Sequence, residues 1–291
     1  MLDRVRARIS DKRVVALVRA FLKAGVLTEL STVVQADAGT PQGGIISPLL
    51  ANIALSVLDE AIMAPWAAGG DQATQSGRAK RRYHGVGNWR IVRYADDFVI
   101  LTNGSRDDAQ RLHEQVAGVL AGIGLRLSPS KTRIAHLSEG IDFLGFTLKW
   151  RKTRGGGKWH CATMIADKSF RTIKQTIRNL TPRRSPRPLA DVIKEVNAAL
   201  RGWTYYFRHA LAGRRFSFLR YFTWNRIVSW QRQLHRWNWT QVRRWLQQPD
   251  GRWKTITDEG IALFDPTKVR IERYLYRGVQ GIPSPYPTAA T

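Results

Sequence analysis

The 291-residue chain has one cysteine, Cys161, and three methionines. A single thiol excludes an intrachain disulfide and any zinc site built on several cysteines, and it fits a reducing, cytoplasmic setting. Acidic residues are also scarce: 22 Asp and Glu stand against 47 Lys and Arg, a formal charge of +25. No run approaches the ~20 apolar residues of a membrane helix, and no amino-terminal signal is visible, so no membrane partner is expected. Internal repeats and low-complexity tracts are missing as well. The chain is 43% hydrophobic, and its length suits about two domains with a sizeable core.

The shortage of acids is uneven. Residues 1–150 carry 19 basic against 14 acidic side chains, whereas residues 151–291 carry 28 against 8. Eight of the 11 tryptophans also follow residue 150. Cations mixed with aromatic faces supply phosphate neutralisation and base stacking together, so the second half reads as a binder of nucleic acid.

Taken in order, Val14, Val18, Phe21 and Leu22 recur at helical spacing over 11–25, and 32–34 form a brief strand candidate. A loop, Gly39-Thr40-Pro41-Gln42-Gly43-Gly44, leads to Ser47-Pro48, where a capping hydroxyl and an early proline predict a helix start. Its stripe of Leu50, Ile53, Val57 and Leu58 ends near Asp59 or Ile62. Residues 64–88 read as an exposed loop with Arg78, Lys80, Arg81 and Arg82 in solvent. Residues 92–101 then place Asp96 and Asp97 between two short runs rich in β-branched and aromatic residues, the pattern of a hairpin whose turn carries the acids. Leu112, Val116, Val119, Leu120 and Ile123 mark an amphipathic helix, after which Gly124–Thr132 is expected to turn back into a strand. Leu144, Phe146, Leu148 and Trp150 alternate as a half-buried strand, with a partner over 159–165 across three glycines.

Beyond that the period is helical. Phe170, Ile173, Ile177 and Leu180 form a stripe with Arg171, Lys174 and Arg178 beside it. Pro182, Pro186 and Pro188 interrupt, a second helix runs through Val192, Val196, Leu200, Trp203 and Phe207, and a third through Leu219, Ile227, Trp230, Leu234 and Trp237. Three such helices suggest a bundle. Residues after Pro249 read as a mixed tail, frayed near Gly281-Ile282-Pro283-Ser284-Pro285.

Two adjacent carboxylates on a tight turn have two readings. One is a solvated Asp-Asp turn; the other is a site whose charge is balanced by divalent cations, as nucleotidyl transfer requires. The flanks bear on this choice. Tyr94-Ala95-Asp96-Asp97 framed by apolar strands, with the Gly-Thr-Pro-Gln-Gly-Gly loop about 50 residues upstream, resembles the palm of a reverse transcriptase. Asn197-Ala198-Ala199-Leu200-Arg201-Gly202-Trp203-Thr204-Tyr205-Tyr206-Phe207-Arg208 resembles the thumb, or maturase, domain of bacterial group II intron proteins.

The resemblance implies an α+β fold: a right-hand polymerase palm, with the catalytic hairpin and its packing helices, followed by an all-α thumb/maturase three-helix bundle. The implied domains are a partial palm over 1–150, a connecting hairpin over 151–165, the thumb over 166–245 and the tail over 246–291. It also implies two Mg²⁺ ions, with Asp96 and Asp97 as catalytic metal ligands, and Tyr94 beside the primer end. Pro41, Gln42 and Gly43 would lie against the nascent base pair, Lys131 near the triphosphate and Gly145 in a strand gripping the primer. Arg171, Lys174, Arg178, Arg201 and Arg208 would meet RNA. Implied partners are intron and template RNA, a DNA primer or target, and dNTPs. The family's earlier palm motif, an Asp followed by paired Phe and a second Asp, has no counterpart; Asp3 and Asp11 lie on an Arg-rich helical stretch. The chain is therefore read as amino-terminally truncated, in need of a further polypeptide to polymerise. An RNA-binding maturase remnant or splicing cofactor without catalysis is the second reading, and a general basic nucleic-acid binder is the third.

Overall fold

The computed structural model describes residues 2–23, 26–27, 33–34, 46–153, 157, 159–182 and 185–272. The chain divides into two compact units between Ile134 and Ala135.

The first unit begins with α1 (Leu2–Arg6), α2 (Lys12–Lys23) and a small antiparallel pair, β1 (Val26–Leu27) and β2 (Val33–Val34). Then come α3 (Ser47–Met63), a 3-10 turn over Ala64–Trp66, α4 (Gln75–Tyr83), the hairpin β3 (Trp89–Tyr94) and β4 (Asp97–Thr102), and α5 (Arg106–Ala121). The hairpin packs on the helices through one face. Leu58 and Ile62 of α3, Ile91 of β3, and Val116 and Leu120 of α5 form the core, with Trp89, Phe98 and Ile100 against it. Alternation along the strands leaves Val92, Tyr94 and Leu101 exposed on the opposite face.

Several expectations for this unit change. Ile46, not Ser47, occupies the cap of α3, and no side-chain cap hydrogen bond is made there. The stretch Ser47–Trp66, which holds an 18-residue window of mean hydropathy 1.3, is long and apolar enough to cross a membrane by length and composition. Here Leu58 and Ile62 pack in the unit's core, and the ion-paired Asp59 and Glu60 lie within the same span. Residues 64–88 are folded rather than a solvated loop. Arg78 donates to the Gln72 and Ala73 carbonyls and lies over Trp66, while Arg81 pairs with Asp71, donates to the Gly87 carbonyl at 2.8 Å and lies 4.9 Å from the Trp89 ring. Gln72 is fully buried. The apolar pattern was too sparse to reveal this turn because its backbone carbonyls are satisfied by guanidinium groups.

The second unit opens with a meander: β5 (Ile141–Phe143), β6 (Phe146–Lys152) and β7 (Trp159–Ile165), all antiparallel. Residues 124–132, near the end of the first unit, hold turns and irregular backbone, not the expected strand. Among the described residues four helices follow rather than three: α6 (Asp167–Leu180), α7 (Leu189–Phe207), α8 (Gly213–His235) and α9 (Trp239–Leu246). Their core runs from Phe170, Ile173 and Ile177 through Val196 and Leu200 to Leu219, Ile227 and Trp230. Residues after Pro249 add β8 (Thr257–Asp258), β9 (Ile261–Ala262) and a 3-10 turn over Pro266–Lys268. Ile256 is fully buried, and Asn197 of α7 holds this segment by donating to the Ala262 carbonyl and accepting from the Phe264 amide. Residues 281–285, read as frayed, lie outside the described residues.

Candidate active site and nucleic-acid interface

Tyr94 pairs with Asp97 across a two-residue turn, Ala95-Asp96. Ala95 takes φ 53°, left-handed backbone that is costly for a residue with a Cβ. A brace from α3 accompanies that strain. Arg93 donates from Nε to both carboxylate oxygens of Asp59 at 3.0 Å and from Nη2 to Oδ2 at 2.6 Å. Its Nη1 donates to Asn52 Oδ1 at 2.8 Å and to the Ala95 carbonyl at 2.7 Å. The pair is mostly shielded, with side chains 10% and 20% exposed for Arg93 and Asp59. Asn52 and Asp59 are seven residues apart, two helical turns, so both reach the same guanidinium.

Asp96 and Asp97 are both exposed, and neither has a Lys or Arg partner among the described residues. Asp97 belongs to the hairpin face that carries Tyr94, which is 67% exposed. Among the described residues no third His, Cys, Asp or Glu joins them in a metal-sized cluster. Lys131 is exposed in a turn in which its amide donates to the Ser128 carbonyl. Pro41, Gln42 and Gly43 lie outside the described residues.

The remaining candidates belong to the second unit. Gly145 is not inside a gripping strand: Leu144 and Gly145 form the two-residue turn between β5 and β6, at φ 48° and 79°. Positive φ at both positions is what such a hairpin demands. The turn is fastened by Tyr206 donating to the Leu144 carbonyl, and by Ser169 and the Ala166 amide donating to the Gly145 carbonyl. A Cβ at Gly145 would stand 2.9 Å from Ser169 Oγ and 3.3 Å from Phe207 Cζ, so packing alone requires glycine there.

Arg171 and Lys174 line a groove of about 740 Å³ between α6 and α8, with Asp167, Phe170, Arg214, Arg215 and Phe218. Two of its cations lie on a ring: Arg215 is 4.5 Å and Lys174 5.1 Å from the Phe170 centroid, and just beyond the groove Arg178 is 5.5 Å from that of Phe222. Arg215 also pairs with Asp167. The other two candidates, on α7, are engaged by the segment after α9. Arg201 lies 4.9 Å from the Phe264 centroid, and Arg208 pairs with Glu272 at 3.5 Å.

The sequence reading missed Arg93, Asp59, Arg214, Arg215 and Phe218. Arg214 and Phe218 share a helical face four residues apart, a signal that was present. Asn52 and Asp59 gave a weaker one, polar residues two turns apart in an otherwise apolar helix.

These features, adjacent carboxylates without an ion-pair partner among the described residues on a braced hairpin in one unit and a basic, aromatic helical groove in the other, accord with the family comparison. Residues 3–148 match the family described as reverse transcriptase (RNA-dependent DNA polymerase), and the chain belongs to that family. Residues 170–250 match the maturase-specific domain of group II introns, which makes this a group II intron-type reverse transcriptase/maturase chain. Among named relatives, protein YkfC of Escherichia coli K12 is 33% identical over 184 residues, covering 58% of this chain and 47% of YkfC. The group II intron-encoded protein LtrA of Lactococcus lactis is 29% identical over 191 residues, 51% of this chain and 32% of LtrA. An uncharacterized 91 kDa protein in the cob intron of Schizosaccharomyces pombe is 31% identical over 183 residues, 50% of this chain and 23% of that protein. The matched part thus spans less than half the length of each of these relatives.

Proposed function

We propose that the chain is the palm and thumb portion of an RNA-directed DNA polymerase that extends a DNA primer with dNTPs on an RNA template, and that it also binds its intron RNA to assist splicing and mobility. The exposed, unpaired Asp96 and Asp97 at the tip of the braced hairpin carry the first part of this reading. Their donors fit Mg²⁺ in kind, being adjacent hard carboxylate oxygens with no Lys or Arg ion-paired to them among the described residues. Two Mg²⁺ ions, when bound, ease deprotonation of the attacking 3′-hydroxyl and offset the charge developing on the phosphate. Asp96 would hold them with Asp97 beside it, and Tyr94 would present its exposed ring to the primer end. Lys131 would approach the triphosphate, Pro41, Gln42 and Gly43 the nascent base pair, and Gly145 the primer strand. Arg171, Lys174 and Arg178 would meet RNA phosphates at the groove, and Arg201 and Arg208 would do so from α7. The lone, exposed Cys161 suits a reducing, cytoplasmic setting.

Two carboxylates are few for two cations, and among the described residues no third ligand joins them. This favours a second reading in which the 291-residue chain by itself only binds RNA. Primer extension on an RNA template separates the readings. The chain alone is expected to bind RNA and extend little. Adding a polypeptide that supplies a further palm strand with an Asp is expected to restore extension, and Asp96→Asn to abolish it. RNA binding without any restored extension would leave the maturase role alone. Vigorous Mg²⁺-dependent synthesis by the chain alone would overturn the incomplete-site account.

A further inference from the structure

Arg93 places a cation beside the turn that carries Asp96 and Asp97. Its Nη1 is 2.7 Å from the Ala95 carbonyl, the residue immediately before Asp96. This guanidinium is bonded to the backbone of the turn that carries the two exposed carboxylates, and among the described residues it forms an ion pair with neither. Asp59 engages it instead, through Nε and Nη2, from a helix on the hairpin's packed face.

We propose that Asp59 is a charge guard. It neutralises the arginine that braces the turn, so that Asp96 and Asp97 keep their negative field for divalent cations. The inference rests on the reading of Asp96 and Asp97 as cation ligands, and it adds a positioning role for two residues that do not touch the cation. The hairpin needs a multi-donor side chain to hold the strained Ala95 peptide and join it to α3, and arginine offers five N–H groups in a fixed fork. Arginine also brings a permanent charge, which unopposed would repel a cation and draw the carboxylates toward itself. A carboxylate supplied from the far side of the guanidinium removes that conflict and leaves the Nη1 bond to Ala95 in place.

The test is Mn²⁺ binding to the purified chain, followed by electron paramagnetic resonance, in wild type, Asp59→Asn, Asp59→Asn with Arg93→Gln, and Asp96→Asn. Asparagine at 59 still accepts a hydrogen bond from Arg93 but carries no charge. Asp59→Asn is expected to weaken Mn²⁺ binding by about tenfold, and adding Arg93→Gln to recover much of that loss. A merely structural role gives the opposite sign for the second step, because removing the arginine too would loosen the turn further. Thermal melts of all four proteins show how far each change unsettles the fold. Equal affinity in wild type and Asp59→Asn, or a double variant no better than the single, overturns the guard while the cation site stands. Absence of Mn²⁺ binding in wild type, or binding undiminished by Asp96→Asn, overturns the cation site and the guard with it.

Discussion

In the unit that ends at Ile134, arginines at packed positions face carboxylates: Arg4 meets Glu60, Arg81 meets Asp71 and Arg93 meets Asp59. In the unit from Ala135, Lys174, Arg178 and Arg201 lie over phenylalanine rings and form no ion pair with an acid among the described residues. Rings are not what separates the two, since Arg78 and Arg90 also lie over Trp66 in the first unit. The supply of acids is. With 12 carboxylates for 18 Lys and Arg in residues 1–134 a guanidinium can become a strut, while with 10 for 29 in residues 135–281 most cations keep their charge for an external polyanion. A ring supports the cation's stem without neutralising it.

The largest effect that could break this comparison is on RNA affinity. Replacing Arg171, Lys174, Arg214 and Arg215 with Ala removes four cations from the groove. Each phosphate contact contributes about 0.7–0.9 to the slope of log affinity against log salt, so the slope should flatten by roughly three and affinity fall by orders of magnitude at low salt. Filter binding across a salt series measures both. An unchanged slope would show that the groove's cations do not meet RNA.

The converse variant sharpens the same comparison at an intermediate size. Arg81→Ala removes a side chain 16% exposed that pairs with Asp71 and satisfies the Gly87 carbonyl. It should lower stability by about 2 kcal/mol, chiefly because the carbonyl of buried Gly87 loses its donor, the exposed Asp71 adding little. The salt slope for RNA should not move. A slope that flattens as it does for the groove variant would erase the distinction between struts and free cations.

What could be read from the sequence follows the same line. The hairpin at residues 89–102 was legible because β-branched and aromatic runs flank a turn, and α6 because Phe170, Ile173 and Ile177 repeat on one face. Residues 64–88 were not, because what folds them is guanidinium-to-carbonyl bonding, which has no period. The β5–β6 turn was misread as continuous strand because Leu144 is an unusual choice for φ 48°, tolerated where Tyr206 and Ser169 hold the peptides. At the candidate site Asp96 and Asp97 announced themselves as adjacent acids. Asp59, two elements away in sequence, carried no local mark of its bond to Arg93.

The smallest expected effect concerns an acid of the first unit that serves the backbone as well as a cation. Asp108 closes a capping box at the start of α5: its amide donates to the Ser105 hydroxyl oxygen at 3.1 Å, and its Oδ2 accepts from the Ser105 amide at 2.9 Å. Chiefly that backbone bond, and secondarily Arg111, hold its pKa below the ordinary carboxylate range against the opposing effect of burial. A depressed folded-state pKa means that the carboxylate's contribution to stability is fully present above the unfolded value and is lost as pH falls through the folded one. Asp108→Asn should therefore cost about 1 kcal/mol near neutral pH. The gap between variant and wild-type melting temperatures should then narrow as the buffer is taken down through the acid range. Arg111 is 68% exposed, so Arg111→Ala should cost less than the cap itself. If instead Arg111→Ala reproduces the whole loss, the cation rather than the helix amides would be what Asp108 serves, and this acid would join the struts at Asp59 and Asp71.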